Sequence, residues 1–280
     1  MNYVAIVGVG LIGGSFGLAL RKAGFQGEIA GVSSRPALEA GLRAGAISTG
    51  ITLEQATSRA DLIYLAQPVD RILETLESLG PIAPADCLVT DAGSTKAAIL
   101  KKASECLASA QFLGGHPMAG KEQRGADAAD ADLFGGRPYV LTPASRESDR
   151  SRSFRSWLER IGASVIEMSA QDHDEAVAFT SHLPQLLSTA LAATLDRRSD
   201  LKLERVFGAG LLDMTRLALS SPDLWLSILA TNKSQVRSAL ESLILTLGEM
   251  RDALQRDALA SLFASGGEFA SRLRTKTHEK

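Results

Sequence analysis

Short apolar, β-branched runs punctuate the first 140 positions: Val4-Ala5-Ile6-Val7, Glu28 to Val32, Leu62 to Leu65, Leu88 to Thr90, Phe112-Leu113 and Tyr139 to Leu141. Stretches with helical spacing separate them. Runs this short with no wet face predict strands buried on both sides, so the pattern reads as a parallel sheet with helices on both faces. From Pro143 to Arg155 the chain turns polar, which predicts an exposed loop. One more helix near Trp157 and a strand at Ser164 to Glu167 would complete this half.

After about Ser169 the strand signal stops. Asp172 with Glu175 three residues later has capping-box spacing, and Ser221-Pro222-Asp223 opens another helix with proline in its first turn. Pro184 falls inside a helical stretch from Glu175 to Leu195, where it should kink the helix and leave the Thr180 carbonyl without its usual partner. Val236, Leu240, Leu243, Leu247, Met250 and Leu254 recur at spacings of four and three. That narrow seam is either an internal core stripe or a subunit interface. Arg272 to Lys280 reads as a charged tail that frays. The pattern therefore predicts an α/β N-terminal domain, residues 1–168, and an all-helical C-terminal domain, residues 169–280.

Composition narrows the partners. A chain of 280 residues suits two domains with cores of their own. Its 30 basic and 32 acidic side chains leave a formal charge of −2, which gives no electrostatic reason to expect nucleic acid or a membrane surface. Two cysteines, Cys87 and Cys106, are too far apart for a CxxC pattern, so neither a disulfide framework nor a metal site is expected, and the protein reads as cytoplasmic. Tyr3 to Leu20 is almost wholly apolar, but five glycines interrupt it and Arg21-Lys22 follow it instead of preceding it. A signal or spanning segment has neither feature.

The candidate chemistry starts inside that glycine-broken run. Gly8, Gly10 and Gly13 form a G-x-G-x-x-G motif between an apolar strand and a helical pattern. In that context the first glycine permits the tight turn, the second admits a pyrophosphate, and the third allows close packing of helix on strand. Leu11 and Ile12 would offer helix N-terminal amides to the phosphates. The first domain thus reads as a Rossmann-type doubly wound sheet. An NAD enzyme usually places a carboxylate about 20 residues later, at the ribose. Here the second strand ends in Ser33, Ser34 and Arg35. Two hydroxyls and a guanidinium predict NADP preference or dual use of NADP and NAD, with Arg35 pairing the 2′-phosphate; the alternative is Arg35 as a solvated turn residue.

Of four histidines, His278 lies in the tail and His173 in a helix first turn, where a solvated role is the default. His116 differs. It stands directly after an expected strand and among Gly114, Gly115 and Gly120, on the edge where open α/β sheets bind their ligands. An imidazole there suits proton transfer near neutrality.

The run Gly114 to Gly125 resembles the central motif of the prephenate/arogenate dehydrogenase family, and the likeness extends along nearly the whole chain. It includes Val7 to Ser15, Thr90 to Lys96, Asp172-His173-Asp174 with Ser181 to Pro184, and Leu212 to Arg216 with Ser221 to Trp225. The resemblance implies oxidative decarboxylation of a cyclohexadienyl acid with hydride transfer to a nicotinamide cofactor. His116 matches the histidine that engages the ring hydroxyl, and Ser94 the serine that orients it. Glu122 matches an acidic residue near the substrate entrance, and Arg216 the arginine that holds a substrate carboxylate. From the residues alone, Ser94 can equally be a helix N-cap, Glu122 a solvated charge and Arg216 a surface residue. A kink at Pro184, beside His182 and Gln185, would suit a cleft wall on the substrate side or would only follow the curvature of the core. Many prephenate-using members carry a second histidine where this chain has Gln185, which leaves prephenate against arogenate open. A homodimer through the helical domain is also implied. Two other readings share the fold. A hydroxyacid dehydrogenase would need a cleft lysine, for which Lys233 is the nearest candidate, and a nucleotide-sensing binding protein would need no catalytic group.

Overall fold

A computed structural model describes residues 1–107, 110–143, 147–198, 202–255 and 258–278. Residues 144–146 of the expected polar loop and 279–280 of the expected tail lie outside them.

The first half alternates strands and helices in order: β1 (Tyr3–Val7), α1 (Leu11–Lys22), β2 (Glu28–Val32), α2 (Arg35–Arg43), β3 (Thr49–Gly50), α3 (Leu53–Thr57), β4 (Leu62–Leu65), α4 (Val69–Leu79), β5 (Leu88–Asp91), α5 (Ala97–Cys106), β6 (Gln111–Pro117), β7 (Pro138–Pro143), α6 (Asp149–Arg160) and β8 (Ser164–Glu167). They form one eight-stranded sheet in the order β3-β2-β1-β4-β5-β6-β7-β8. All pairings are parallel except β6 with β7, an antiparallel pair that the apolar runs alone did not distinguish. β3 is only two residues long, too short to leave a periodic signal.

All five residues of β1 are buried because alternate side chains feed two cores. Val4 and Ile6 join Phe16 and Leu20 of α1 and Phe154 and Leu158 of α6. Ala5 and Val7 join Ile72 and Leu76 of α4 and Ile99 of α5. Each such aliphatic side chain contributes about 1.5–3 kcal/mol on burial, so two covered faces stabilise the sheet within a single chain.

The second half comprises α7 (Ala170–Val177), a π-helical turn (Ala178–His182), α8 (Leu183–Asp196), α9 (Ala209–Thr215), α10 (Pro222–Thr231), α11 (Lys233–Leu254) and α12 (Ala260–His278). Ser169, not Asp172, caps α7: its hydroxyl accepts the Asp172 amide at 3.1 Å and donates to the Asp172 carboxylate at 2.7 Å. Ser221 sits at the N-cap of α10 with Pro222 at its first position, as expected. Pro184 follows a π turn inside a stretch that is helical from Ala170 to Asp196. The ladder widens at Ala178–His182 and returns to α-helix at Leu183, with Pro184 in the first turn of α8. The Arg272 region belongs to α12, which runs to His278 without fraying at 272.

Candidate active site

Gly8 ends β1 with φ of 95°, and a Cβ there would lie 2.5 Å from the Ala66 carbonyl oxygen. A Cβ on Gly13 would lie 2.1 Å from the Gly8 oxygen, so neither position accepts a side chain. Gly10 is the opposite case: nothing lies within 4 Å of its would-be Cβ, and it opens α1 with no side-chain cap and no acidic residue in the first turn. Leu11 and Ile12, the first two residues of α1, have their amides at the positive end of the helix dipole. The cavity there has a volume of about 500 Å³; Gly8, Gly10, Ser33, Ser34, Gln67 and Arg71 are among its lining residues, and none of these residues is acidic. The residues present therefore fit a dinucleotide. Arg35 is not among the lining residues. Its side chain is 90% exposed and pairs at 3.0 Å with Glu39, one turn along α2. The basic residue that does line the cavity is Arg71, which the strand-end argument could not reach because it follows β4 instead of β2.

His116 lies inside β6, not after it, opposite Val140 of β7. The strand is longer than its apolar run because β7 continues the pairing past the point where β5 ends, and because Gly115 lets β6 pass close to β5. A Cβ at Gly115 would meet the Asp91 carbonyl oxygen at 2.5 Å. The ring is half-buried, and desolvation, followed by the nearby His173, Lys96 and His182, holds its pKa well below the ordinary histidine value. It is therefore neutral at physiological pH and able to take a proton.

Its hydrogen-bond partner is His173, whose Nε2 lies 2.8 Å from His116 Nδ1. His173 is 1% exposed, which corrects the solvated role expected for it. Its Nδ1 lies 2.8 Å from Oδ1 of Asp174. The carboxylate in turn accepts the Lys96 amide at 2.7 Å and the Ala97 amide at 2.9 Å, at the start of α5. Ser94 makes no hydrogen bond to His116 and does not cap α5, whose N-cap is Lys96. The orienting contact expected of Ser94 is made by His173 in this structure. The flanking carboxylates of Asp172-His173-Asp174 were the available signal, since a histidine between two acids has a ready acceptor.

Beneath the ring, Lys96 and Asp91 form a completely buried ion pair. Lys96 Nζ also donates to the Gly115 carbonyl at 2.6 Å, and Asp91 accepts the amides of Gly115 at 3.1 Å and Gly93 at 2.8 Å. Burial pushes the carboxyl up and the ammonium down, and each charge opposes the other's shift. The pair fastens the tip of β5 to the backbone just before His116.

His182, expected at the substrate, is 1% exposed instead, edge-on to Trp225 with Nδ1 3.4 Å from Asn232 Nδ2. Burial lowers its pKa to about 4. Asn232 also donates to the Asp174 carbonyl at 2.7 Å, so His182 belongs to the support behind the site. Gln185 donates to the Leu217 carbonyl at 2.8 Å, while its Oε1 is buried with no partner. Glu122 and Arg216, 94 positions apart, meet in an exposed ion pair at 3.0 Å across the two halves. Lys233 is exposed at the first position of α11.

Comparison with known proteins follows the same division. Residues 16–167 match the family model for the prephenate dehydrogenase nucleotide-binding domain, and residues 169–265 that for the prephenate dehydrogenase dimerization domain. A prephenate dehydrogenase of Lactococcus lactis is 32% identical over 247 residues, 86% of this chain and 68% of that protein. The crystal structure of the A. aeolicus prephenate dehydrogenase in complex with hydroxyphenyl propionate and NAD+ superposes with a TM-score of 0.87 at 32% identity, over 100% of this chain and 98% of that one. That of the Synechocystis arogenate dehydrogenase gives 0.81 at 28% identity, over 96% and 99%. With both domain models matched across the sheet and the helices that follow it, the chain belongs to the prephenate dehydrogenase family.

Proposed function

We propose that this chain oxidatively decarboxylates prephenate, arogenate or both, giving 4-hydroxyphenylpyruvate or tyrosine with reduction of a nicotinamide dinucleotide. One observation carries the reading. A neutral, half-buried imidazole stands on the same sheet, and at the same carboxyl edge, as the glycine turn and open helix N-terminus that fit a dinucleotide. The bound nicotinamide would supply the hydride acceptor. His116 takes the proton of the ring hydroxyl as that carbon loses hydride and becomes carbonyl-like. The bond to the ring carboxylate breaks, carbon dioxide leaves, its electron pair completes an aromatic ring, and the oxygen takes its proton back from His116 to become a phenol. Proton transfer to a placed base contributes about 10²- to 10⁴-fold. Arg216 holds a substrate carboxylate, exchanging the single bond it makes to Glu122 for a two-bond grip.

Gln185 bears on the choice of acid. Its Nε2 is already committed to Leu217, and the atom left over is an acceptor, which suits the ammonium of arogenate better than the keto oxygen of prephenate. NADP or dual use of NADP and NAD is favoured by a cavity whose ribose end offers Ser33, Ser34 and Arg71 and no carboxylate. Arg35, one residue beyond the hydroxyls, reaches a 2′-phosphate only by leaving Glu39. A homodimer through the helical half is supported by the matched dimerization domain and by apolar side chains left in water there, among them Ile244 at 63% and Leu245 at 69% exposure. The domain division at 168/169 is likewise part of this reading. Among the described residues no helix is long and apolar enough to cross a membrane. Free Cys87 and Cys106 suit the reducing cytoplasm.

The test is a two-by-two assay of both acids with both cofactors, followed by reduced-cofactor absorbance. Turnover is expected with arogenate ahead of prephenate, and with NADP at least equal to NAD. Gln185→His is expected to move the ratio of kcat/KM toward prephenate by about tenfold. No turnover of either acid would remove the functional reading, and a strong NAD preference would remove the cofactor one.

A further inference from the structure

His173 bonds the catalytic ring on one side and a carboxylate on the other, and the donors can be assigned in sequence. The Asp174 carboxylate only accepts, so His173 donates to it from Nδ1. A neutral His173 then has only a lone pair on Nε2, which fixes the proton of neutral His116 on Nδ1. The consequence falls on the far side of the ring: His116 Nε2 carries the lone pair. A free histidine favours the other tautomer, with the proton on Nε2 and nothing there to accept another.

We infer that His173 and Asp174 are a positioning pair which selects the proton-accepting tautomer of His116. The inference rests on the reading of His116 as the base for the ring hydroxyl. Its geometry crosses between the two halves. Asp174 and His173 lie on α7 of the helical half, His116 lies on β6 of the sheet, and the Asp174 carboxylate is held by the Lys96 and Ala97 amides that open α5. Fixed backbone donors at the start of α5 keep that carboxylate aimed. Asn232, at the junction of α10 and α11, donates to the Asp174 backbone carbonyl and holds α7 in place from behind.

Charged and titratable groups face His116 from several parts of the fold, and His173, Lys96 and His182 all oppose a positive charge on its ring. His173 and Asp174 approach from α7, Lys96 from the loop before α5, Asp91 from β5 and His182 from the π turn. Lys96 is neutralised by Asp91, and His182 is buried as a neutral ring. The hydroxyl proton moves to His116 Nε2 while the His116 Nδ1 proton stays shared with His173 Nε2. As carbon dioxide leaves and the ring oxygen becomes a phenolate, His116 returns that proton to it, so the phenol departs with no net proton released.

The experiment compares wild type, His173→Phe and His173→Gln in steady state over a pH series, with reduced-cofactor binding as the control for folding. Glutamine reproduces the pattern of accepting from His116 and donating to Asp174, whereas phenylalanine removes both bonds at similar volume. His173→Phe should lower kcat about a hundredfold and leave both Michaelis constants within about threefold, because the base is presented in the wrong tautomer. His173→Gln should recover to within about tenfold of wild type. In parallel, ¹⁵N chemical shifts of the imidazole rings in the wild-type protein should show His116 protonated on Nδ1 and bare on Nε2. Equal losses in the two variants, or a His116 proton on Nε2, would overturn the inference. Absence of wild-type turnover would instead strike the assigned reaction, and the ring-nitrogen measurement would still decide the tautomer. Should His173→Phe fail to bind cofactor, the glutamine variant and the nitrogen shifts decide.

Discussion

The nucleotide-binding half and the helical half handle their apolar surface in opposite ways. The sheet buries both faces under its own helices, and its two cores include aromatic stacking of Phe16 on Tyr64 at 4.1 Å. The helical half has a buried cluster of only Ala178, Val236 and Ala239, while Phe207, Leu219, Leu226, Ile244, Leu245 and Phe263 are all more than half exposed. Among the described side chains, none of α12 belongs to any of the three clusters. One half is finished by its own sequence, and the other is shaped to be finished by another surface. The proposed active site lies where the two meet, with His116 on the sheet and His173, Arg216 and Gln185 on the helical half.

The contrast can be broken most severely in the sheet. Lys96→Met leaves the Asp91 carboxylate buried without its cation, and urea unfolding should show a loss of about 3–5 kcal/mol in the nucleotide-binding half. Replacing both partners with apolar residues should recover much of that loss, since no unpaired charge remains. Failure of the double variant to recover would mean that the pair's bonds to Gly115 and Gly93, and not its charge balance, hold this region. A smaller effect is expected in the helices. Leu245→Glu places a charge on the exposed apolar surface, where each large side chain is worth about 1.5–3 kcal/mol on burial. Sedimentation should show a weakened dimer, with the thermal transition of the sheet nearly unchanged. A wild type that sediments only as monomer would erase the contrast altogether. The smallest of the three is Arg216→Ala. Its exposed bridge to Glu122 adds little to stability, so the Michaelis constant for the acid should rise about tenfold while kcat holds within a few fold. A fall in kcat alone would place Arg216 at the reacting atoms instead of at the substrate's periphery.

The sheet was legible because burial on both faces leaves continuous β-branched runs, as in β1 and β4, that owe little to distant partners. The glycine turn was legible because φ of 95° and a backbone approach of 2.5 Å exclude side chains at Gly8. What escaped depended on contacts far apart in sequence. His173 looks like a helix-start residue until the fold places it against a ring 57 positions away. Arg71 and Arg35 are equivalent as letters, and only the path of the chain after β4 sets one of them at the cavity. Ser94 and His182 were named from a motif, which records that a residue type stands there without recording which neighbour it turns toward. The extra reach of β6, which carries His116 into the sheet, came from its antiparallel partner and left no trace in the apolar pattern.

The π turn between α7 and α8 sets the rotational phase of the helical half. In an unbroken α-helix, His173 and Gln185, twelve positions apart, would point about 120° away from each other. Accommodating one extra residue in the wide turn reduces that to about 20°. A single rod of helix can then present a ring at one level and an amide at the next to the same interior, both nearly excluded from water. The lengthened turn acts as a vernier: it aligns two functional levels that the ordinary pitch would have turned apart.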